Sequence, residues 1–429
     1  GTLYDIQIYI LKRGRQMNSI NENEILGYIN KLNHMFDDIK FENLWSGFYS
    51  FSYALYNDEN VYLVNHNDPP KNYIKLDKNI YKGEWDERFF GNTAINLNDE
   101  YIAIWNMDTI TKKIKPEKLL SNLIHEMFHA YQLNIKDDRY ANELLYLTYP
   151  FSKENLSLRL AEREWLARAV FEKNQENKNK SIAKFISFRE KRREKIEEHL
   201  DYELGMESRE GTALYVEYKS FLEVSNIPEL YLLSKYGSDL AENNVNLNDF
   251  RKSCYSPGLY ISVLLDSLDP NWKHEYNNSS KFLYDFLLDK VNVERKQIEI
   301  TEDDYIQEVI DDFIENKKLK IKKFHDQEGY KIIFKGDLNI AGFDPMNIIS
   351  FDYNLLHNHF FKFSFDGQEV AIKDKVLSKH KENVIGIREV QCYTEYEPKI
   401  ESDLIKIKNI GEFKGVIKQE GKQYIVNLK

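Results

Sequence analysis

His125 and His129 stand four positions apart in the run Leu119 to Gln132, and Glu126 follows the first of them directly. On an α-helix, positions i and i+4 lie on one face, so both imidazoles can reach one metal ion while the carboxylate points to where a metal-bound water would sit. The spacing is the HExxH arrangement of a zinc-hydrolase helix. Such a pair needs a helix to carry it, and the surrounding residues predict one. Pro116 suits a first turn and Glu117 the positive end of the helix dipole, while Leu120, Leu123, Ile124, Met127 and Tyr131 recur at helical spacing. The uncharged residues around the pair (Leu123, Ile124, Met127, Phe128, Ala130) predict a helix buried under an active-site floor. Packing and capping alone are the bland alternative for these three residues.

A catalytic zinc site takes three protein ligands and keeps a fourth position open. The candidate third ligand lies in the segment Arg209 to Tyr218, where Glu210 opens an amphipathic helix and Glu217 follows two turns later on nearly the same face. HExxH followed by this EGxxxYxE segment resembles the gluzincin zinc metallopeptidases, in particular their aminopeptidase-type branch. The resemblance implies Glu210 as third ligand, Glu217 as a carboxylate orienting a histidine, and Tyr255 of Tyr255-Ser256-Pro257-Gly258 as an oxyanion donor at a helix start. The three blocks occur in the family's order within roughly residues 90 to 270.

The sequence departs from that branch at three points. Arg209 stands where asparagine is usual, which leaves the ligand untouched. Residues 130 to 209 separate His129 from Glu210, a much longer spacer, and so imply an insertion beside the site. The segment Gly91 to Asn96 lacks the glutamate with which that branch reads a free amino terminus, which favours internal cleavage over aminopeptidase action.

Along the chain, residues 2 to 40 read as helical, and residues 45 to 107 as strands rich in aromatic and β-branched residues, with the Pro69-Pro70 pair among the turn signals. The strand Tyr101 to Met107, just before the metal helix, is the expected edge of the sheet lining the cleft. Residues 137 to 205 read as a helical insertion in which the charged run Ser187 to Leu200 forms a solvated face. From about residue 328 the pattern turns to strands, with Asp366-Gly367 and Glu420-Gly421 as turns. The expectation is therefore an α+β protein. A gluzincin-like, thermolysin-like catalytic domain spans a helix-and-sheet part (1–110) and a helical part (111–325), and a mostly-β domain follows (326–429).

Other candidate residues read as structural. Glu162 and Glu164 are alternative ligands without a metal-helix context, His274 is a reserve oxyanion donor whose default is a surface histidine, and the His357/His359 pair lacks a third partner. Cys254 and Cys392 allow one bridge at most and read as reduced fillers.

The 429 residues suffice for two or three packed domains, and the net charge of −11 argues against nucleic acid as the main partner. No apolar run is long enough to span a membrane. The chain begins Gly-Thr, so a preceding segment such as a secretion signal is an open expectation; the cytoplasm is the expected compartment and secretion the alternative.

The expected chemistry is peptide hydrolysis with one zinc ion, Glu126 as general base and an endopeptidase mode. The alternatives are an amide hydrolase acting on a non-peptide substrate and a non-catalytic binding module. Retention of Glu126, which is not a ligand, weighs against the last.

Overall fold

In this computed structural model, the described residues are 20–110, 113–241, 247–382 and 384–428. The expected helix over residues 2 to 40 is found as α1 (Glu22–Asp38), and the part before residue 20 lies outside the described residues. Asn21 and Glu24 close a capping box at its start. The fold is mixed α+β, with a helical region and a C-terminal β-sheet region, and among the described residues no helix is long and apolar enough to cross a membrane.

The chain packs as two compact units. Among the described residues, one comprises those of 20–142 and 157–300, and the other those of 143–156 and 301–428. These units cut across the boundaries expected at 110 and 325, because the segment from residue 143 to 156 and the helix preceding the last strands belong with the β region.

The first unit carries a six-stranded sheet of β1 (Tyr53–Tyr56), β2 (Asn60–Val64), β3 (Ile74–Asp77), β4 (Ile80–Glu84), β5 (Thr93–Leu97) and β6 (Glu100–Asn106), in the order β3-β4-β2-β1-β6-β5. Only β1 and β6 run parallel, with Tyr53 opposite Ala103. β6 lies between β1 and β5, so the sheet edge is β5 and not the Tyr101–Met107 strand expected there. The short two-residue connection at Asn98-Asp99, both at positive φ, folds β5 back onto β6 and takes that edge.

Helix α2 (Pro116–Asn134) packs against β6 and buries Leu119, Leu120, Leu123, Ile124, Met127 and Phe128. Next come α3 (Lys153–Phe171), α4 (Gln175–Ile196) and α5 (His199–Met206), and α5 runs through a π-helical turn at Glu207–Gly211 into α6 (Thr212–Val224). Helix α7 (Tyr255–Leu268) crosses that turn, and the contact is made by two glycines. A Cβ on Gly211 would lie 2.5 Å from Gly258 Cα, and one on Gly258 would lie 2.4 Å from the Glu207 carbonyl oxygen. The glycines of the two motif blocks are thus the point where the backbones touch.

The run Ser187 to Leu200 differs from its expected solvated face. Arg189, Glu190 and Arg192 are buried. Arg189 donates to Glu207 at 2.7 Å and to Glu162 at 3.0 Å, Arg192 donates to Glu162 at 2.6 Å and bonds Glu203, and Arg159 donates to Glu203 at 2.8 Å. Carboxylates from α3, α5 and the π turn neutralise the arginines of α4, an arrangement that a buried charge requires. Glu162 is committed to that network and is not a ligand, while exposed Glu164 pairs with Arg168 along its own helix.

The second unit holds α8 (Asp304–His325) and an eleven-stranded sheet around the long strand β7 (Tyr330–Phe343). Its core includes Ile332, Phe334, Phe361, Phe363, Val390 and Val426. Asp366 and Gly367 both take positive φ in the tight turn between Phe361–Phe365 and Gln368–Ile372, as the Asp-Gly pair predicts.

Candidate metal centre

Helix α2 presents His125 and His129 side by side, with ring centroids 4.9 Å apart, and the π turn presents Glu210 against them. The Glu210 carboxylate lies 3.2 Å from His129 Nε2 and 3.7 Å from His125 Nε2. One ligand atom from each of the three residues falls within 4.8 Å of the others, a group able to hold a metal ion. The three side chains are only 12 %, 12 % and 15 % exposed, which shields their charges from water while leaving an approach. π-turns inside helices are frequent at functional sites because they re-aim one side chain without breaking the helix; here the re-aimed residue is Glu210.

Both outer ring nitrogens are held. His125 Nδ1 meets Glu217 Oε2 at 3.0 Å, and His129 Nδ1 meets Gln132 Oε1 at 2.8 Å. Donation from Nδ1 to these oxygens leaves each Nε2 as the nitrogen turned toward Glu210, the one that would bind a metal ion once the ion displaces any proton it carries. Glu217 is itself fixed by Lys118 Nζ at 2.5 Å and by the Tyr236 hydroxyl at 2.8 Å. Gln132 is fixed in turn, since its amide nitrogen donates to the Arg209 carbonyl at 3.0 Å and to Thr212 Oγ1 at 3.1 Å.

The electrostatics follow from this crowding. Burial opposes ionisation of Glu210, yet the two histidines hold its carboxyl well below the usual range. Burial likewise opposes Glu217, and His125 and Lys118 bring it down to about 2. Burial disfavours the charged form of His125, but Glu210 and Glu217 raise it to about 10. Burial pushes the Glu126 carboxyl up, with the histidines pulling the other way. Glu126 is therefore the carboxylate of this group shifted toward holding a proton.

Tyr255 begins α7 and reaches the site through Arg251. The Arg251 guanidinium donates to the Tyr255 hydroxyl and lies 3.5 Å from the second oxygen of Glu210. The structure thus gathers His125, Glu126, His129, Glu210, Glu217 and Tyr255 in one region. His274 is exposed on the short helix Trp272–Asn277. His357 is buried in the second unit, bonded to Ser378 and not to His359, which is exposed. Cys254 and Cys392 are both buried and free.

Sequence reasoning missed Gln132, Lys118, Tyr236 and Arg251. Gln132 follows His129 by one helical turn, a spacing that had announced its contact. Arg251, one turn before Tyr255, carried a similar signal. Lys118 and Tyr236 reach Glu217 from distant parts of the chain, and nothing local marks them.

Compared with known proteins, the chain matches no family model, no curated protein and no solved structure.

Proposed function

We propose that the protein is a zinc metallopeptidase of gluzincin type, with endopeptidase action favoured over aminopeptidase action. The observation that carries this reading is the convergence of two imidazole Nε2 atoms and one carboxylate, each imidazole held through its other nitrogen. Two nitrogens and one oxygen fit the His₂Glu donor set of catalytic zinc, which leaves one coordination position for water or substrate. His125, His129 and Glu210 would hold the ion. Zinc bound there supplies Lewis acidity, which lowers the pKa of a water toward neutrality and polarises a scissile carbonyl.

The chain's own groups do the rest. Glu126 takes a proton from the attacking water at its carboxylate and passes it to the leaving amine, a transfer suited to a carboxyl whose affinity for protons burial has raised. Glu217 and Gln132 keep the imidazoles aimed throughout. Tyr255 donates its hydroxyl hydrogen toward the oxygen that becomes negative, and Arg251 holds that hydroxyl in place. Removing one such donor typically lowers the rate by about a hundredfold or more.

Strand β5 supports internal cleavage in two ways. It is an outer strand of the sheet packed beside α2, so an extended peptide can add along it by main-chain hydrogen bonds. Its residues Thr93 to Leu97, which fall where the aminopeptidase branch keeps its amine-reading glutamate, include no carboxylate.

The test is digestion of a mixed peptide pool, half of it amino-terminally blocked, with products mapped by mass spectrometry. Internal cuts in blocked and free peptides alike are expected. Cuts confined to free amino ends would move the assignment to an aminopeptidase, and intact pools would remove the peptidase reading.

A further inference from the structure

The second unit contains a cavity of about 330 Å³, formed by the Glu143–Leu147 helix and the residues after it, by α8, and by the hairpin of Ile348–Phe351 and Asn354–His357. That volume is at the small end of the range for ligand pockets, about 300 to 1,000 Å³. Its walls are aromatic: Tyr146, Tyr149, Phe151, Phe313 and Phe351 line it.

Lys317 is the one lysine among the described residues that lines the cavity, while exposed Lys318, paired with Glu315, lies 5.7 Å from the centroid of Phe351. Lys317 Nζ lies 4.1 Å from the centroid of Phe313 and 5.3 Å from that of Phe151, and donates to the Ser350 carbonyl oxygen at 2.8 Å. Among the described residues no carboxylate pairs with it. Glu315, two residues earlier and so on a different side of the helix, lies 3.7 Å from Lys318 instead. Asp352, on the cavity rim, is exposed in the hairpin turn and makes no ion pair with Lys317. An ammonium carries three donors, so two of those on Lys317 have no protein acceptor among the described residues.

Lys317 is half-buried, and the apolar part of its ammonium's surroundings lowers its affinity for a proton, with the pKa pushed down to about 8. An anion in the cavity would relieve that burial by pairing with the charge.

We propose that this cavity is a binding site for a small planar aromatic carboxylate, whose ring lies among Phe151, Phe313 and Phe351 and whose carboxylate accepts from Lys317 Nζ. Aromatic walls with one placed polar group match the usual make-up of a ligand site, and a carboxylate gives the ammonium a charge-assisted bond that a neutral ring cannot. The site lies wholly within the second unit and does not depend on the reading of the metal centre.

Calorimetric titration of the full chain with 2-naphthoate and with neutral 2-naphthamide tests it. The wild type should bind naphthoate at least about tenfold more tightly than the amide, K317M should lose that preference, and K317R should keep naphthoate affinity within about threefold. The melting temperature of each variant, with and without naphthoate, separates lost binding from lost folding, because a folded K317M should show no stabilisation. Equal affinities for the two probes, no binding of naphthoate by the wild type, or undiminished naphthoate binding by K317M would each overturn the proposal; the last would place the ligand elsewhere, at the metal centre for example.

Discussion

The candidate centre depends on residues that contact only the outer nitrogens of its two imidazoles. Glu217 bonds His125 and is itself held by Lys118 and Tyr236, and under the proposed reading it orients an imidazole rather than binding metal. Glu217→Gln keeps the shape but removes the charge. Zinc affinity, measured by competition with a chelator, should fall by about 10- to 100-fold, and an unchanged affinity would show that the carboxylate is not part of the centre. The same local charges make zinc binding depend on pH. Without metal, His125 holds its proton up to about pH 10, so a metal ion must displace that proton. Affinity should therefore rise with pH between 7 and 10, and calorimetry in buffers of differing ionisation enthalpy should record about one proton released per ion bound. A flat profile over that window would contradict the Glu210 and Glu217 contacts as described. At this scale the sequence was most legible where chemistry is local. HExxH fixes two imidazoles and a carboxylate by helical geometry alone, whereas the partners of Glu217 come from helices far apart in the chain.

At the scale of elements, the site is an arrangement of three helices joined by a backbone contact. Gly211 and Gly258 let the π turn and α7 approach until no side chain fits between them, and this sets Tyr255 and Arg251 beside Glu210. Gly211→Ala would place a methyl group 2.5 Å from Gly258 Cα and 3.0 Å from the Tyr255 carbonyl oxygen. Overpacking of this kind typically destabilises by about 1 to 3 kcal/mol. The expected result is a lower melting temperature together with weaker zinc binding, although the residue is no ligand; normal zinc affinity in a normally stable variant would show that the contact is not what positions Glu210. The sequence offered both glycines as parts of motifs but gave no sign that they meet. It also misled about α4. A run with so many charges reads as solvated when only its own residues are weighed, because the acids that neutralise Arg189 and Arg192 lie on α3, α5 and the π turn. Strand identity was easier, since alternation and turn residues are local, but the position of β6 inside the sheet depends on β5 folding back over it.

At the scale of the molecule, the two units carry different sensitivities. The second holds a buried chain of polar groups, with His357 Nε2 at 2.9 Å from Ser378 Oγ and Ser378 Oγ at 2.7 Å from His380 Nε2. The adjacent-histidine reading of His357 and His359 missed it because the partners come from the neighbouring strand Val376–His380. Burial lowers His357 to about 3 and His380 to about 4 in the folded state, against about 6.5 for an unfolded chain. Below pH 6.5 the unfolded chain takes up protons that the folded one refuses, so the stability contributed by these neutral rings is complete above 6.5 and declines as pH falls toward 4 and then 3. His357→Leu should reduce the slope of stability against pH between 6.5 and 4 by about one proton, measured by denaturant titration. An unchanged slope would mean that His357 is not held neutral. The central claim concerns the other unit, where zinc and Glu126 are assigned distinct tasks. The most direct measurement is metal content and peptide cleavage determined together on wild type and Glu126→Gln. The account predicts one zinc per chain in both proteins and cleavage by the wild type alone. Equal cleavage by the two, or a wild type that cuts peptides without binding zinc, would contradict it.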